Sequence, residues 1–299
     1  MRASTFIQVF LSLQAVSAIR IIQSNDDGWA EGNLRALFTT LVNAGHQVIL
    51  SAPAENKSGS GSSDSQPTKV DSDGCAWNSC PPNSPPTGAN SSDPRLNYVN
   101  SYPVTSIKYG IDTVAPKLWG ANSKPELALT GPNVGSNVGL AVQFSGTVGA
   151  AVYAARTARI PAIAFSGASD TKSPWNDVSF AAKVYADLAF NVTNTIIAKG
   201  TPYLPEDVWL NVNFPDVSQT KCSNPSQFKY ILTRINSGIL SKRDVQWCGT
   251  DRLPTESDII KKTGCYVAIS VGDAADKTTV DAERQAVVLE KLRPLLTCV

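Results

Sequence analysis

The sequence predicts an α/β protein: a Rossmann-like, mostly parallel sheet flanked by helices, with late β elements and an extended Ser/Pro-rich insertion. Three observations carry that expectation. Branched apolar runs alternate with amphipathic segments at helical spacing. The connections between them are short, which favours right-handed strand–helix–strand crossovers. The 299 residues, 42% hydrophobic and 17% charged, suffice for one large core.

Taken in order, residues 1–18 carry Arg2, an apolar run over 6–13, and Val16-Ser17-Ala18, a small-residue cleavage pattern. They read as a signal peptide, with Ile19 opening the mature domain 19–299. A buried N-terminal helix is the other reading, and it makes residues 19–24 an awkward continuation. Those residues form a strand. Leu34, Leu37, Phe38, Leu41 and Val42 then recur at helical spacing up to Gly45, and 46–50 is a second strand. From Asn56 to about Pro94 the chain turns to Ser, Gly, Pro, Asn and Asp, which predicts a long exposed excursion, with 61–94 an insertion rather than a domain. Order resumes with a helix over 105–118, a strand at 126–130, a Gly-rich loop, a helix over 146–158 and a strand at 161–166. An amphipathic stretch, 177–198, leads to strands at 208–214, 229–235 and 266–271, and 281–296 closes as a helix.

Charge and cysteines narrow the partners and the compartment. Without Arg2 the mature chain has 25 basic and 25 acidic residues, because all other counted charges lie beyond residue 18. A balanced chain with no further membrane-length apolar stretch argues against a nucleic-acid polymer or a membrane as partner. Six cysteines in an apparently secreted chain suggest up to three disulfides. Cys75 and Cys80, close together among turn formers, make a local pair, while Cys222, Cys248, Cys265 and Cys298 stay unassigned. Their spacing does not suit zinc. Asn56, Asn90 and Asn191 head glycosylation sequons, consistent with a secreted glycoprotein.

Four stretches could carry chemistry. Asp26 and Asp27 in Ser24-Asn25-Asp26-Asp27-Gly28 follow the first strand. Neighbouring side chains on a continuing strand face opposite ways, so two carboxylates meet at one point only where the chain leaves the strand, a turn Gly28 permits. Paired carboxylates at the C-terminal edge of an α/β sheet repel unless a proton or cation lies between them, and a hard divalent cation is the natural partner. The bland reading is a turn that caps the next helix. Gly131, Gly135 and Gly139 in TGPNVGSNVG admit close backbone approach to an anion, or simply a tight loop. Ser145-Gly146-Thr147 at a helix start suits a phosphate, or ordinary capping. Lys57-Ser58-Gly59 lies at the same edge, or is only a flexible loop start. The only histidine, His46, is expected at a surface turn, which disfavours a Ser-His-Asp hydrolase and multi-histidine metal sites. No Walker motif is present.

In this order SNDDG, APAENKSGS, TGPNVGSNVG and FSGTVGAA, followed by WLNVNFP, resemble the SurE family of metal-dependent nucleotidases and acid phosphatases. The resemblance extends from Ile19 through CYVAIS at 265–270. It implies one divalent metal ion (Mg, Mn or Ca) held by Asp26, Asp27, Ser58 and Asn133, and a phosphate held by Asn137, Ser145, Gly146 and Thr147. Asp26 and Asp27 would be catalytic, a small phosphomonoester or nucleotide the substrate, and a homodimer or homotetramer the assembly. The chain departs from the family pattern at Glu31, where Pro is usual, at Pro132, where a branched apolar residue is usual, at Phe144, where Tyr is common, and in its longer 61–94 segment. A glycan on Asn56 would crowd Ser58, so that sequon is expected to be unoccupied. Two competing readings are a secreted glycosidase with paired carboxylates, which sequence neighbours span poorly, and a non-catalytic metal- or nucleotide-binding protein.

Overall fold

A computed structural model describes residues 18–239 and 241–299, so the expected signal peptide lies almost wholly outside the described residues. The first strand, β1 (Arg20–Ser24), leads through α1 (Gly32–Asn43) to β2 (Gln47–Pro53). β3 (Thr87–Ala89) and β4 (Leu96–Val99) follow the insertion, then α2 (Pro103–Tyr109), α3 (Ala115–Trp119) and β5 (Leu127–Val134). The one-turn helix α4 (Ala141–Phe144) precedes α5 (Gly146–Arg156), β6 (Ala162–Gly167), α6 (Phe180–Ala198) and β7 (Val208–Phe214). The chain finishes with β8 (Lys229–Thr233), α7 (Glu256–Ile260), β9 (Tyr266–Asp273) and α8 (Ala282–Leu292).

Among the described residues, nine strands join one sheet in the order β3-β4-β2-β1-β5-β6-β7-β9-β8. The central strands from β4 through β7 run parallel, β3 and β9 pair antiparallel with β4 and β7, and β8 runs parallel to β9. After β1 the chain fills the sheet outward through β2 and β4, then returns to place β5 on the other side of β1. Reversal of strand order opens a crevice at the C-terminal ends of β1 and β5, where α/β sheets bind ligands.

Both faces are covered, which is why β1 and β5–β7 read as continuous apolar runs. Leu34, Leu37 and Leu41 of α1 pack with Leu188, Val192 and Ile196 of α6 on one face. Ile107 of α2 and Val148, Ala151 and Ala154 of α5 cover the other. Each large apolar side chain so buried contributes about 1.5–3 kcal/mol.

Several expectations are corrected. The helix expected over 105–118 is present as a continuous helical run from Pro103 to Trp119, in which a wider, π-helical turn at Gly110–Val114 links α2 and α3. The excursion is not wholly exposed: Val70, Cys75, Cys80 and Ser84 are buried, and β3 covers the edge of β4. His46 is buried rather than on the surface, with the Ile19 N–H donating to its Nδ1 at 3.3 Å, at the end of the sheet opposite the crevice. The expected Cys75–Cys80 bridge is present, and the other four cysteines pair as Cys222–Cys265 and Cys248–Cys298. Among the described residues no helix is long and apolar enough to cross a membrane.

Candidate active site

β1 delivers its two acids to the crevice because the chain turns as soon as the strand ends. The Asn25 Oδ1 accepts from the Gly28 N–H at 3.2 Å, closing a turn that Gly28 completes at φ 115°. Both carboxylates are buried, Asp26 at 2% and Asp27 at 3% exposure.

Asp26 sits on the N-terminus of α5. Its Oδ2 accepts the N–H groups of Gly146 (2.9 Å) and Thr147 (3.1 Å), and its Oδ1 accepts the Thr147 hydroxyl at 2.7 Å. A helix N-terminus favours an anion at this point. Gly146 is required by the close approach, since a Cβ there would stand 2.9 Å from the Asp26 Cβ and 2.6 Å from the Ser60 Oγ. Gly146 and Thr147, expected at a phosphate, here direct their N–H groups and the Thr147 hydroxyl at Asp26. Ser145 caps the helix, its Oγ accepting the Val148 N–H at 3.1 Å, and remains on the cavity wall.

Asp27 is held at one oxygen only. Its Oδ2 accepts the Val134 N–H at 2.8 Å, whereas Oδ1 is buried without a hydrogen-bond partner among the described residues, with the Lys172 ammonium 3.9 Å away. Burial pushes both carboxyls up, and the neighbouring Asp26 charge pushes Asp27 further. An opposite charge between them would relieve both effects.

Asn133 reaches the pair through an irregularity in β5. The register with β6 shifts between Thr130 and Asn133. Gly131, at φ 90°, lets this happen, because a Cβ would lie 2.2 Å from the Phe165 carbonyl oxygen. Pro132 suits a bulge, where a missing N–H costs the ladder nothing. The Asn133 Nδ2 donates to the carbonyls of Val134 (3.2 Å) and Gly135 (2.7 Å), leaving Oδ1 turned the other way, 3.4 Å from the Thr147 hydroxyl that binds Asp26.

The loop after β2 closes the opposite side. The Lys57 N–H donates to the Asp26 carbonyl at 2.6 Å. Ser58 is exposed, and its hydroxyl donates to the Asn56 Oδ1 at 2.7 Å, so Asn56 stands beside the cavity mouth. The resulting open cavity, about 370 Å³, is lined by Asp26, Ser58, Asn133, Asn137, Ser145 and Phe144, among others. Asp27 lies behind it. Asn137 is fixed from β7: its N–H donates to the Asn213 Oδ1 at 2.9 Å, and its carbonyl accepts from Asn211 (2.8 Å) and Asn213 (3.0 Å). Its Nδ2 donates to the Ser166 Oγ at 2.9 Å, which leaves one amide hydrogen uncommitted.

The geometry thus gathers residues from the four motifs at one sheet edge. A family model described as Survival protein SurE matches residues 21–239. The chain belongs to the SurE family. It is similar to an acid phosphatase of Yarrowia lipolytica, 32% identical over 290 residues, covering 85% of this chain and 79% of the relative. It is also similar to the 5'-nucleotidase SurE of Lawsonia intracellularis, 31% identical over 205 residues, 68% of each chain. The crystal structure of the SurE protein from Aquifex aeolicus has the same fold, with a TM-score of 0.58 at 22% identity, covering 85% of this chain and 93% of that one.

Within this SurE chain, sequence reasoning missed a layer beneath the site. Asn211 and Asn213 lie two apart on β7 and so share a face, and a pair of amides inside an apolar strand was the available signal. Glu256 receives the other Asn211 Nδ2 hydrogen at 2.7 Å, and burial pushes its carboxyl up to about 8. Glu31, where the family usually has Pro, is buried, and its Oε1 accepts the Ser173 N–H at 3.1 Å. That contact ties down the loop carrying Lys172. The lysine gave no signal of its own in the sequence.

Proposed function

We propose that the protein is a metal-dependent hydrolase of phosphate monoesters, acting as an acid phosphatase or nucleoside monophosphate 5'(3')-nucleotidase on small substrates. The observation that carries this reading is the buried Asp27 Oδ1, which accepts no hydrogen bond among the described residues, beside a second buried carboxylate. The names of the similar acid phosphatase and 5'-nucleotidase support the same reaction.

Asp26, Asp27, Ser58 and Asn133 would hold one divalent ion, Mg, Mn or Ca. The fit rests on donor chemistry: two carboxylates and an amide oxygen turned from its own committed NH₂ are hard oxygen ligands. The ion would supply Lewis-acid polarisation of a phosphoryl oxygen and a more acidic bound water. Asp26, which lines the cavity, would take the proton from the attacking water. The Ser145 hydroxyl and the free Asn137 amide hydrogen face the substrate oxygens and hold the charge that develops during in-line transfer. The buried floor of Asn211 and Asn213 keeps Asn137 from moving as that charge grows.

The three disulfides suit an oxidising compartment, so we place the enzyme outside the cell, with residues 1–18 as signal peptide, Asn90 and Asn191 as glycan acceptors and Asn56 bare. Assembly as a homodimer or homotetramer follows from the family resemblance.

The test is phosphate release from nucleotides and simple monoesters, before and after chelation, with single metals restored. Asp26→Asn and Asp27→Asn should each lower turnover by roughly a hundredfold or more. Metal-stimulated turnover surviving in both variants refutes the assignment.

A further inference from the structure

Phe144 is the last residue of α4, immediately before Ser145, and it lines the same cavity as Asp26, Asn133 and Asn137. It is 67% exposed, and Leu140, one helical turn earlier on the same face, is 80% exposed. Large apolar groups left in water at the mouth of a cavity mark a surface that gains by being covered.

The segment carrying the ring is held by three hydrogen bonds. The Gly61 N–H donates to the Phe144 carbonyl at 2.9 Å, the Gln143 Nε2 donates to the Asp276 carbonyl at 3.0 Å, and the Lys277 ammonium donates to the Gln143 carbonyl at 3.2 Å. The ring therefore projects from an anchored stretch of chain, one residue from the proposed phosphate seat. A monoester whose phosphate sits at Asn137 and Ser145 points the rest of its structure out through the open mouth, which Phe144 lines.

Resting on the phosphomonoesterase reading, we propose that Phe144, with Leu140 behind it, forms the subsite for the leaving group and selects monoesters that carry an aromatic ring, nucleoside monophosphates and aryl phosphates, over aliphatic ones. Stacking on an aromatic face tolerates any base, so selection is for a ring rather than for a particular nucleobase. Phe144 does not touch the reacting atoms, so it acts on substrate capture rather than on the chemical step.

The experiment measures kcat and KM of the metal-loaded enzyme for adenosine monophosphate, 4-nitrophenyl phosphate and glycerol 2-phosphate, with Phe144→Ala, Phe144→Leu and Phe144→Trp beside the wild type. In Phe144→Ala the preference in kcat/KM for each aromatic ester over glycerol 2-phosphate falls about tenfold, mainly through KM. Phe144→Trp retains the preference and Phe144→Leu does not. A preference unchanged within twofold in Phe144→Ala, or lost equally in Phe144→Trp, overturns the proposal. So does a change of oligomeric state on size-exclusion chromatography without a change of preference, which would assign the ring to a subunit contact. If the wild type cleaves none of the three esters, the phosphomonoesterase reading itself fails.

Discussion

Asp27 concentrates the electrostatic tension of the site in one side chain. Its Oδ1 is buried, has no hydrogen-bond partner among the described residues and faces the Lys172 ammonium at 3.9 Å, while Asp26 and Glu31 add negative charge nearby. Lys172 serves as a resident, half-exposed counter-charge, and a bound cation must share its place with it. Removing that charge while keeping the apolar stem, in Lys172→Met, should tighten divalent-cation binding. Because the ammonium is partly solvated, the gain is modest: about fivefold less cation for half-maximal thermal stabilisation. Weaker cation binding would instead make Lys172 a helper of the metal site. The pairing of Asp26 with Asp27 was legible in the sequence because adjacent acids converge only where a strand ends. Lys172 was not, since loop residues distant in sequence meet Asp27 only through the anchoring of their loop on Glu31.

Two elements position the ligands, and each carries a liability that can be measured. The bulge in β5 depends on Gly131, so Gly131→Ala should cost about 3 kcal/mol or more, read as a lowered denaturation midpoint, because strain at positive φ adds to a clash with the Phe165 carbonyl. A midpoint unchanged from wild type would remove the argument for the bulge. α7 places Glu256 under the Asn137 loop. Its carboxyl lies at about 8 in the folded protein against an ordinary 4.5, so the native state holds a proton that the unfolded chain releases. Stability from this group is complete below about pH 4.5 and is lost as pH rises to about 8, a change on the order of a few kcal/mol. Glu256→Gln keeps the oxygen that accepts from Asn211 and should flatten that decline in denaturation measured from pH 5 to 8; a decline as steep as in wild type would contradict the assignment. Sequence pattern located β7, whose bounds match the expected 208–214, because its alternating residues suit a strand. It stopped β5 at Thr130, because Gly131 and Pro132 are turn formers, whereas pairing with β6 carries the strand on to Val134. β3 and β4 went unseen because they are short, and β3 pairs only at the sheet edge.

At the scale of the molecule, three disulfides hold the parts that the parallel core does not. Cys222–Cys265 ties the loop before β8 to the start of β9, across a separation of 43 residues, and Cys248–Cys298 ties the loop before α7 to the C-terminus, across 50. Chain-entropy arguments give each about 4 kcal/mol against the unfolded state. Reduction, or Cys248→Ser with Cys298→Ser, should lower the melting temperature while leaving the Asp26–Asp27 crevice intact, so activity at low temperature persists. Cys75–Cys80 closes a loop of separation 5 within the insertion and contributes less. The crevice was legible as a place, since strand–helix–strand order puts ligands at the C-terminal edge of the sheet. Its floor was not, because Asn211, Asn213 and Glu256 meet Asn137 only after the late strands have been added to the sheet. The claim on which the account turns is that Asp26 and Asp27 share a cation with Asn133. The most direct measurement is an anomalous difference map from a crystal of the wild-type protein soaked in manganese. A peak about 2–2.5 Å from the Asp27 Oδ1 and the Asn133 Oδ1, lost in Asp27→Asn, is the expected result; no peak there, in crystals whose dissolved protein still releases phosphate in a manganese-dependent way, would contradict it.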